Sequence, residues 1–441
     1  MIEDANLYYS ELVHCNYVIY IFRSGDTHQV YPFLILYSVY TSMMKNRSIF
    51  TVVPLALTMV VSILLYAYFK TIQLPDAGIA AFGSENIRAE VVEIIEDGEI
   101  DLGGVRQRYQ VVRVVLQEGK YAGITMETDY GKRQVLSNAL YLQPGDQILV
   151  TVGARPDGVL TVYFSDFVRT NPLLWLTTLF VAAILVISGW KGLRALLSMV
   201  FSLVMIIGFI IPLILSGKDP LMVSISGSIV LLAVTLYLTY GWNLKTHSAV
   251  ISMMFVLLIT GVLAVVFVNF TRLRGSGDES SLFLIQALNA QINLRGLLLG
   301  GMIIGALGVL DDLVTTQASA VFELHHANET LGFRELYRSA MRIGQDHVAA
   351  TVNTLVLAYT GASLPMLLLF SLGQGKLGML VNFEFVAAEI VRTLVGSLGL
   401  VSAVPLTTAI AIFFALRVDS LGWLRQFLGP EGSGEGHSHS H

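Results

Sequence analysis

Charge is what this chain has least of. Asp, Glu, Lys and Arg make up 13% of its 441 residues, about half the usual share. The basic residues are too scattered for the dense positive patch that nucleic acid requires, so nucleic acid is not an expected partner. Cysteine is nearly missing. Cys15 stands alone, which excludes an intrachain disulfide and a cysteine-based metal centre. The Walker phosphate loop, the nucleophile elbow, the His-Glu-x-x-His zinc pattern and the dinucleotide fingerprint are also missing. These gaps argue against an enzyme, an ATP-driven machine and a resident cofactor.

What fills the chain is apolar. Hydrophobic residues reach 54%, and the mean hydropathy is +0.67. The fold class this predicts is an α-helical polytopic membrane protein with about eight transmembrane helices, at 50–69, 172–189, 195–215, 221–240, 248–269, 297–324, 347–370 and 385–416. Lys45, Arg47, Lys191, Arg194, Lys245, Arg334, Arg338, Arg342, Arg417 and Arg425 fall on alternate connections. The positive-inside rule then places both termini in the cytoplasm.

Between the first run and the rest, residues 70–171 alternate in period two: AEVVEII, QRYQVVRVVLQ, GITMETDY, DQILVTV and VLTVYF. Turn signals at Asp97-Gly98, Gly103-Gly104, Pro144-Gly145 and Pro156-Asp157-Gly158 separate them. This predicts a small extracytoplasmic β-barrel of OB-like type, inserted after the first span. The remaining segments are a seven-helix bundle over 172–416 and a cytoplasmic flexible tail over 417–441. Residues 1–43 read as an N-terminal extension, with translation expected to begin at Met43 or Met44. The alternating histidines of the tail read as an inert end rather than a metal site.

The chemistry concentrates in two adjacent aspartates, Asp311 and Asp312, in the middle of an apolar run that is otherwise uncharged from Gly296 to Leu324 except for Glu323. A carboxylate at mid-membrane costs roughly 3 kcal/mol on insertion scales. Three stripes of small and polar residues should pack together around the pair. The first is Gly301, Gly305, Gly308, Asp312, Thr315, Ser319 and Glu323. The second is His347, Thr351, Thr354, Ala358, Gly361 and Pro365. The third is Glu389, Arg392, Gly396, Gly399 and Ala403. Asp311 lies about 15 residues into its span from the outer side and Arg392 about eight into its own, a depth difference of ~10 Å. Two carboxylates side by side in a low dielectric should share a proton rather than both ionise. The expected relay is Asp311 and Asp312, with Arg392 as countercharge and Thr315, Thr316, Thr351 and Thr354 as alternate partners. Glu389, one turn from Arg392, competes for it. The bland alternative is that Glu389 and Arg392 satisfy each other and the aspartates only fasten helices.

Two further patterns are weaker. Glu323 and His326 have the Glu-x-x-His spacing of helical di-metal sites, with Asp346 and His347 near in sequence, but the second such motif is missing. Residues 328–345 form an amphipathic helix with Arg334, Arg338 and Arg342 on its basic face, suited to an anionic inner leaflet.

The strings GALGVLDDLVTTQASAVFEL, ETLGFRELYRSAMRIGQDHVAATVNTLVLAYTGASLPMLLLF and GLVSAVPLTTAIAIFF resemble the YibE/F family of bacterial multispan membrane proteins. More distantly, the order of an aspartate pair, an amphipathic linker ending in Gly and a Thr-rich span ending in Pro resembles proton-coupled RND-type transporters and the SecD/SecF export motor. That likeness implies proton carriage by Asp311 and Asp312 as in the efflux branch, or an Asp–Arg pair with Arg392 as in the export branch. The chain departs from both in its much smaller external domain, an extra pair of spans and the lack of a repeated second half. The expected function is therefore a proton-coupled transporter or a proton-driven motor component. The alternative is a non-transporting scaffold whose external barrel docks a cell-envelope partner. Expected partners are the lipid bilayer and either a membrane or cell-envelope protein or a second copy of the chain.

Overall fold

The computed structural model describes residue 58, residues 85–133, 141–154, 160–277, 280, 281, 283, 284, 292–372 and 377–417, and residue 428. The N-terminal extension with Cys15, all but residue 58 of the expected first span, the turn at Pro156 and the histidine-rich tail lie outside the described residues.

Five strands follow the period-two segments: β1 (Glu85–Leu102), β2 (Val105–Leu116), β3 (Thr125–Tyr130), β4 (Gln147–Ala154) and β5 (Leu160–Phe167). Gly103 and Gly104 take φ of 64° and 89°, the left-handed pair that a two-residue hairpin turn demands. The sheet is antiparallel throughout, in the order β3-β2-β1-β4-β5. It is open, not the closed barrel that the strand count suggested. β1 pairs with β4 only over Glu85–Glu90, and the rest of its length extends with β2 as a ribbon. Tyr130 of β3 meets Phe164 of β5 edge-on at 4.7 Å, so aromatic packing rather than a hydrogen-bond ladder occupies the seam between the edges. Ile87, Ala89, Val91, Val112, Val114, Ile148 and Val150 alternate inward to make the core.

The helices are α1 (Thr170–Leu215, with a π-helical turn at Ile206–Ile210), α2 (Pro220–Tyr240), α3 (Leu244–Phe270), α4 (Leu294–Ala327), α5 (Phe333–Ala362), α6 (Leu364–Leu372), α7 (Leu377–Leu380) and α8 (Glu384–Arg417). Among the described residues, five are long and apolar enough to cross a membrane, namely α1, α2, α3, α4 and α8. That corrects the expected count of about eight. Lys191 and Arg194 suggested a loop between two runs, but the backbone stays helical past them, kinked at Gly189 (φ 51°, ψ −128°). Arg194 donates from Nε to the Leu238 carbonyl at 2.6 Å, so its charge is absorbed against α2. The 347–370 run is not a separate apolar span either. It continues the polar 333–346 segment within α5, which stops at Ala362.

Sequence sets these helix ends locally. The Asp219 side chain accepts from the Met222 N–H at 3.0 Å, with Pro220 as the first helical residue, and Asn243 and Asn293 cap α3 and α4 in the same way. Helix contacts rest on single glycines. A Cβ on Gly300 would stand 2.3 Å from Ser224 Oγ, and one on Gly399 would stand 2.4 Å from Thr260 Oγ1. At the end of the bundle where α8 begins, the Glu384 carboxylate accepts from the backbone N–H groups of Arg274 and Gly275 at 2.6 Å and of Ser276 at 3.2 Å. It thereby ties the segment after α3 to α8.

Candidate functional site

Consecutive residues of a helix point about 100° apart, so adjacent aspartates cannot share an environment. Asp311 turns partly inward, beside the buried Leu310 and Val314, and its Oδ1 is buried without a hydrogen-bond partner among the described residues. Asp312 turns out, with 75% of its side chain exposed. Its Oδ2 lies 3.8 Å from His347 Nε2 on α5, and the Thr316 hydroxyl donates to its Oδ1 at 3.5 Å. On the inward side the Thr315 hydroxyl reaches the Asp311 carbonyl at 2.9 Å and lies 3.3 Å from the Tyr240 hydroxyl at the end of α2.

Arg392 belongs to another level. It pairs with Glu389 at 2.9 Å on its own helix, and its Nε is buried without a hydrogen bond. A cavity of about 10 Å³, with room for one water, lies among Gly305, Ala306, Leu355, Tyr359, Arg392 and Gly396. Gly305 and Ala306 precede Asp311 by five to six residues, or roughly 8–9 Å along the helix. Among the described residues, no ion pair joins Arg392 to either aspartate. The Thr351 and Thr354 hydroxyls donate to their own helix, at His347 O (2.8 Å) and Ala350 O (3.0 Å). The three stripes come together only in part. Gly301, Gly308 and Gly361 face open space, Thr354 and Ala358 are exposed, and Gly399 and Ala403 are packed inside.

The potential metal group at the far end of α4 is otherwise occupied. Glu323 takes a salt bridge from Lys245 at 3.1 Å. No three His, Cys, Asp or Glu side chains converge among the described residues.

A family model described as YibE/F-like protein matches residues 176–417. The chain belongs to the YibE/F family. The matched region runs from inside α1 to the last residue of α8, so it contains Asp311, Asp312, His347 and Arg392 and leaves the sheet outside. No curated protein and no solved structure gives a significant match.

In this YibE/F protein the residue that organises the surroundings of the aspartates is one that sequence reasoning missed. Gln317 is 2% exposed, and its Nε2 donates to the Ala340 carbonyl of α5 at 3.0 Å and to Thr408 Oγ1 of α8 at 2.7 Å. Gly344 of α5 packs against the same point, where a Cβ would meet Val404 Cγ1 at 2.3 Å and Gln317 Oε1 at 2.7 Å. This node sets where α5 sits, and therefore where His347 meets Asp312. The signal was available: Gln317 is the one amide side chain in α4, six residues after Asp311 in an otherwise apolar, small and hydroxyl stretch. His347 appeared as a stripe member and beside the Glu-x-x-His pattern, never as a partner of Asp312, because nothing in sequence spacing places residue 347 beside residue 312.

Proposed function

We propose that this YibE/F membrane protein is a proton-coupled transporter or the proton-driven motor of a partner, with Asp311 and Asp312 as the proton-carrying groups. The observation that carries the reading is the split orientation of the pair. Asp311 holds a buried oxygen with no partner, and Asp312 stands exposed within 3.8 Å of His347. An ionised carboxylate is costly where nothing pairs with it, whereas a proton on the same group removes that cost. Thr315 and Tyr240 extend the polar path on the inner side, and Thr316 and His347 extend it on the outer. Arg392, steadied by Glu389, supplies a fixed positive charge one level away, and the Thr351 and Thr354 hydroxyls lie on the facing helix, bonded to its own backbone. The resemblance of the GALGVLDDL segment to proton-coupled transporters supports the same assignment.

The test is infrared difference spectroscopy on the full chain in vesicles, with the outer pH stepped across neutrality. A carboxylic-acid band should appear on acidification and vanish in Asp311→Asn. A pH-sensitive dye inside the vesicles should report proton entry that both Asp311→Asn and Asp312→Asn abolish, while the variants stay monodisperse with unchanged melting. Wild-type entry no faster than in empty vesicles would overturn the proposal, and so would variants that conduct normally. Loss of folded protein in both variants would instead assign the pair a structural role.

A further inference from the structure

A ridge of three arginines stands apart from the aspartate site. Arg334, Arg338 and Arg342 recur at four-residue steps along the first half of α5, and all three are exposed. Among the described residues, none of them makes an ion pair or a hydrogen bond. The buried positions of the same segment are Leu336, Ala340 and Gly344, offset by two residues, or about 200° around the helix. The arginines therefore point directly away from the bundle.

Their depth follows from their neighbours. α5 runs antiparallel beside α4, with Ala340 at the level of Gln317 and His347 at the level of Asp312. By the same register Arg334 lies level with Glu323, whose pair with Lys245 marks a polar rim of the bundle. Arg338 and Arg342 then lie about 6 and 12 Å inward of that rim. The segment is the start of a 30-residue helix beside α4, and its charges face sideways, away from the bundle. Phe333, 49% exposed, and Ile343, 45% exposed, flank the ridge with apolar surface. Asp346, one turn beyond Arg342, forms no ion pair with it.

We propose that this ridge is a binding site for an anionic phospholipid of the adjacent leaflet. The guanidinium groups hold its phosphate and headgroup, and Phe333 and Ile343 rest against its chains. Unpaired guanidinium at that depth requires a counter-anion, and a planar fork of donors matches a phosphate. A free anion in water would leave the flanking apolar surface without a role. The lipid satisfies both.

The experiment uses the full chain in nanodiscs of phosphatidylcholine, titrated with fluorescent phosphatidylglycerol and read by energy transfer from the protein's tryptophans. Arg334→Gln, Arg338→Gln and Arg342→Gln should each weaken binding about fivefold, and the triple variant on the order of 100-fold. The triple Lys variant should keep most of the affinity, and salt should weaken the wild type. Equal binding by wild type and triple Gln variant would overturn the site. So would fluorescent phosphatidylcholine bound as tightly as phosphatidylglycerol, a result that decides the matter even if the triple variant does not fold. Full displacement of the lipid by inorganic phosphate would show a free-anion site instead, and would equally refute the lipid assignment.

Discussion

Gly344→Ala is the sharpest probe of how the site is held. The added Cβ would lie 2.3 Å from Val404 Cγ1 and 2.7 Å from Gln317 Oε1. Carbon atoms prefer a separation of about 3.5–4.0 Å, so α5 must retreat from α8 by roughly 1–1.5 Å or distort locally. Overpacking of this kind costs typically 1–3 kcal/mol. Alanine also gains about 1 kcal/mol of helix propensity over glycine. The net expectation is a loss of about 0–2 kcal/mol, measured by denaturant unfolding of the purified chain in detergent. Val404→Ala removes the obstructing methyl and should make Gly344→Ala nearly neutral in its background, giving a positive coupling of similar size in the double-mutant cycle. Because His347 follows Gly344 by one turn, the retreat should also lengthen the 3.8 Å approach to Asp312. Proton entry should then fall even in protein that remains folded. If Gly344→Ala instead stabilises the protein by about 1 kcal/mol, as propensity alone requires, the close approach of α5 to α8 is refuted.

Gly399→Ala should cost about 1–3 kcal/mol through its 2.4 Å clash with Thr260 Oγ1, and Thr260→Ala should relieve it, both read from thermal unfolding in detergent. Glu384→Ala should leave the N–H groups of Arg274, Gly275 and Ser276 without their acceptor, at about 1–3 kcal/mol, with faster hydrogen exchange confined to that segment. In the sheet, Lys132 and Tyr109 hold the Glu96 carboxyl below its ordinary value of 4.5, and Arg108 holds Asp97 below 3.8. Depressed carboxyls stabilise the folded state above those ordinary values and lose that contribution as the pH falls through the lower folded ones. Hydrogen exchange of the β1–β2 ribbon, corrected for the intrinsic rate at each pH, should therefore quicken on acidification below about pH 4.5. In a Lys132→Ala, Arg108→Ala variant it should already be faster at neutral pH and respond less to acid.

Local order was legible where it depends on local residues. Each period-two segment became a strand, because alternating apolar side chains can bury only one face, but Asp97-Gly98, expected as a turn, lies inside β1 paired with Gln110 and Tyr109. Closure of the sheet was not legible, since it depends on whether two edges meet by hydrogen bonds or by side chains, and Tyr130, Phe164 and Phe167 decide that in three dimensions. Span counting failed for a related reason. Lys191 and Arg194 look like loop charges to a hydropathy window, but a helix can carry them when a neighbour's carbonyl accepts the guanidinium, as Leu238 does. The small-residue stripes shared this weakness. Gly301 and Gly300 are adjacent and equally small, yet only Gly300 receives a neighbour, because the partner Ser224 lies on a helix whose phase the α4 sequence does not contain.

The same reasoning explains why α5 matters more than its composition suggests. Its outward face carries the arginine ridge, its inward face carries Ala340 and Gly344 at the Gln317 node, and its next turn carries His347 beside Asp312. A rigid helix transmits a displacement at one of these points to the others with little loss, since all three lie within about 20 Å along one axis. Movement of α5 would change the Asp312–His347 distance while leaving Asp311, on α4, in place. A protonation change at the aspartates would conversely act on α5 through that same pair. If the aspartates carry protons, α5 is the element through which a change of packing would leave the site. Cross-linking α5 to α8 through cysteines at Gly344 and Val404 should therefore abolish proton entry without altering the carboxyl band of Asp311. Unimpaired entry in the cross-linked protein would show that α5 does not move.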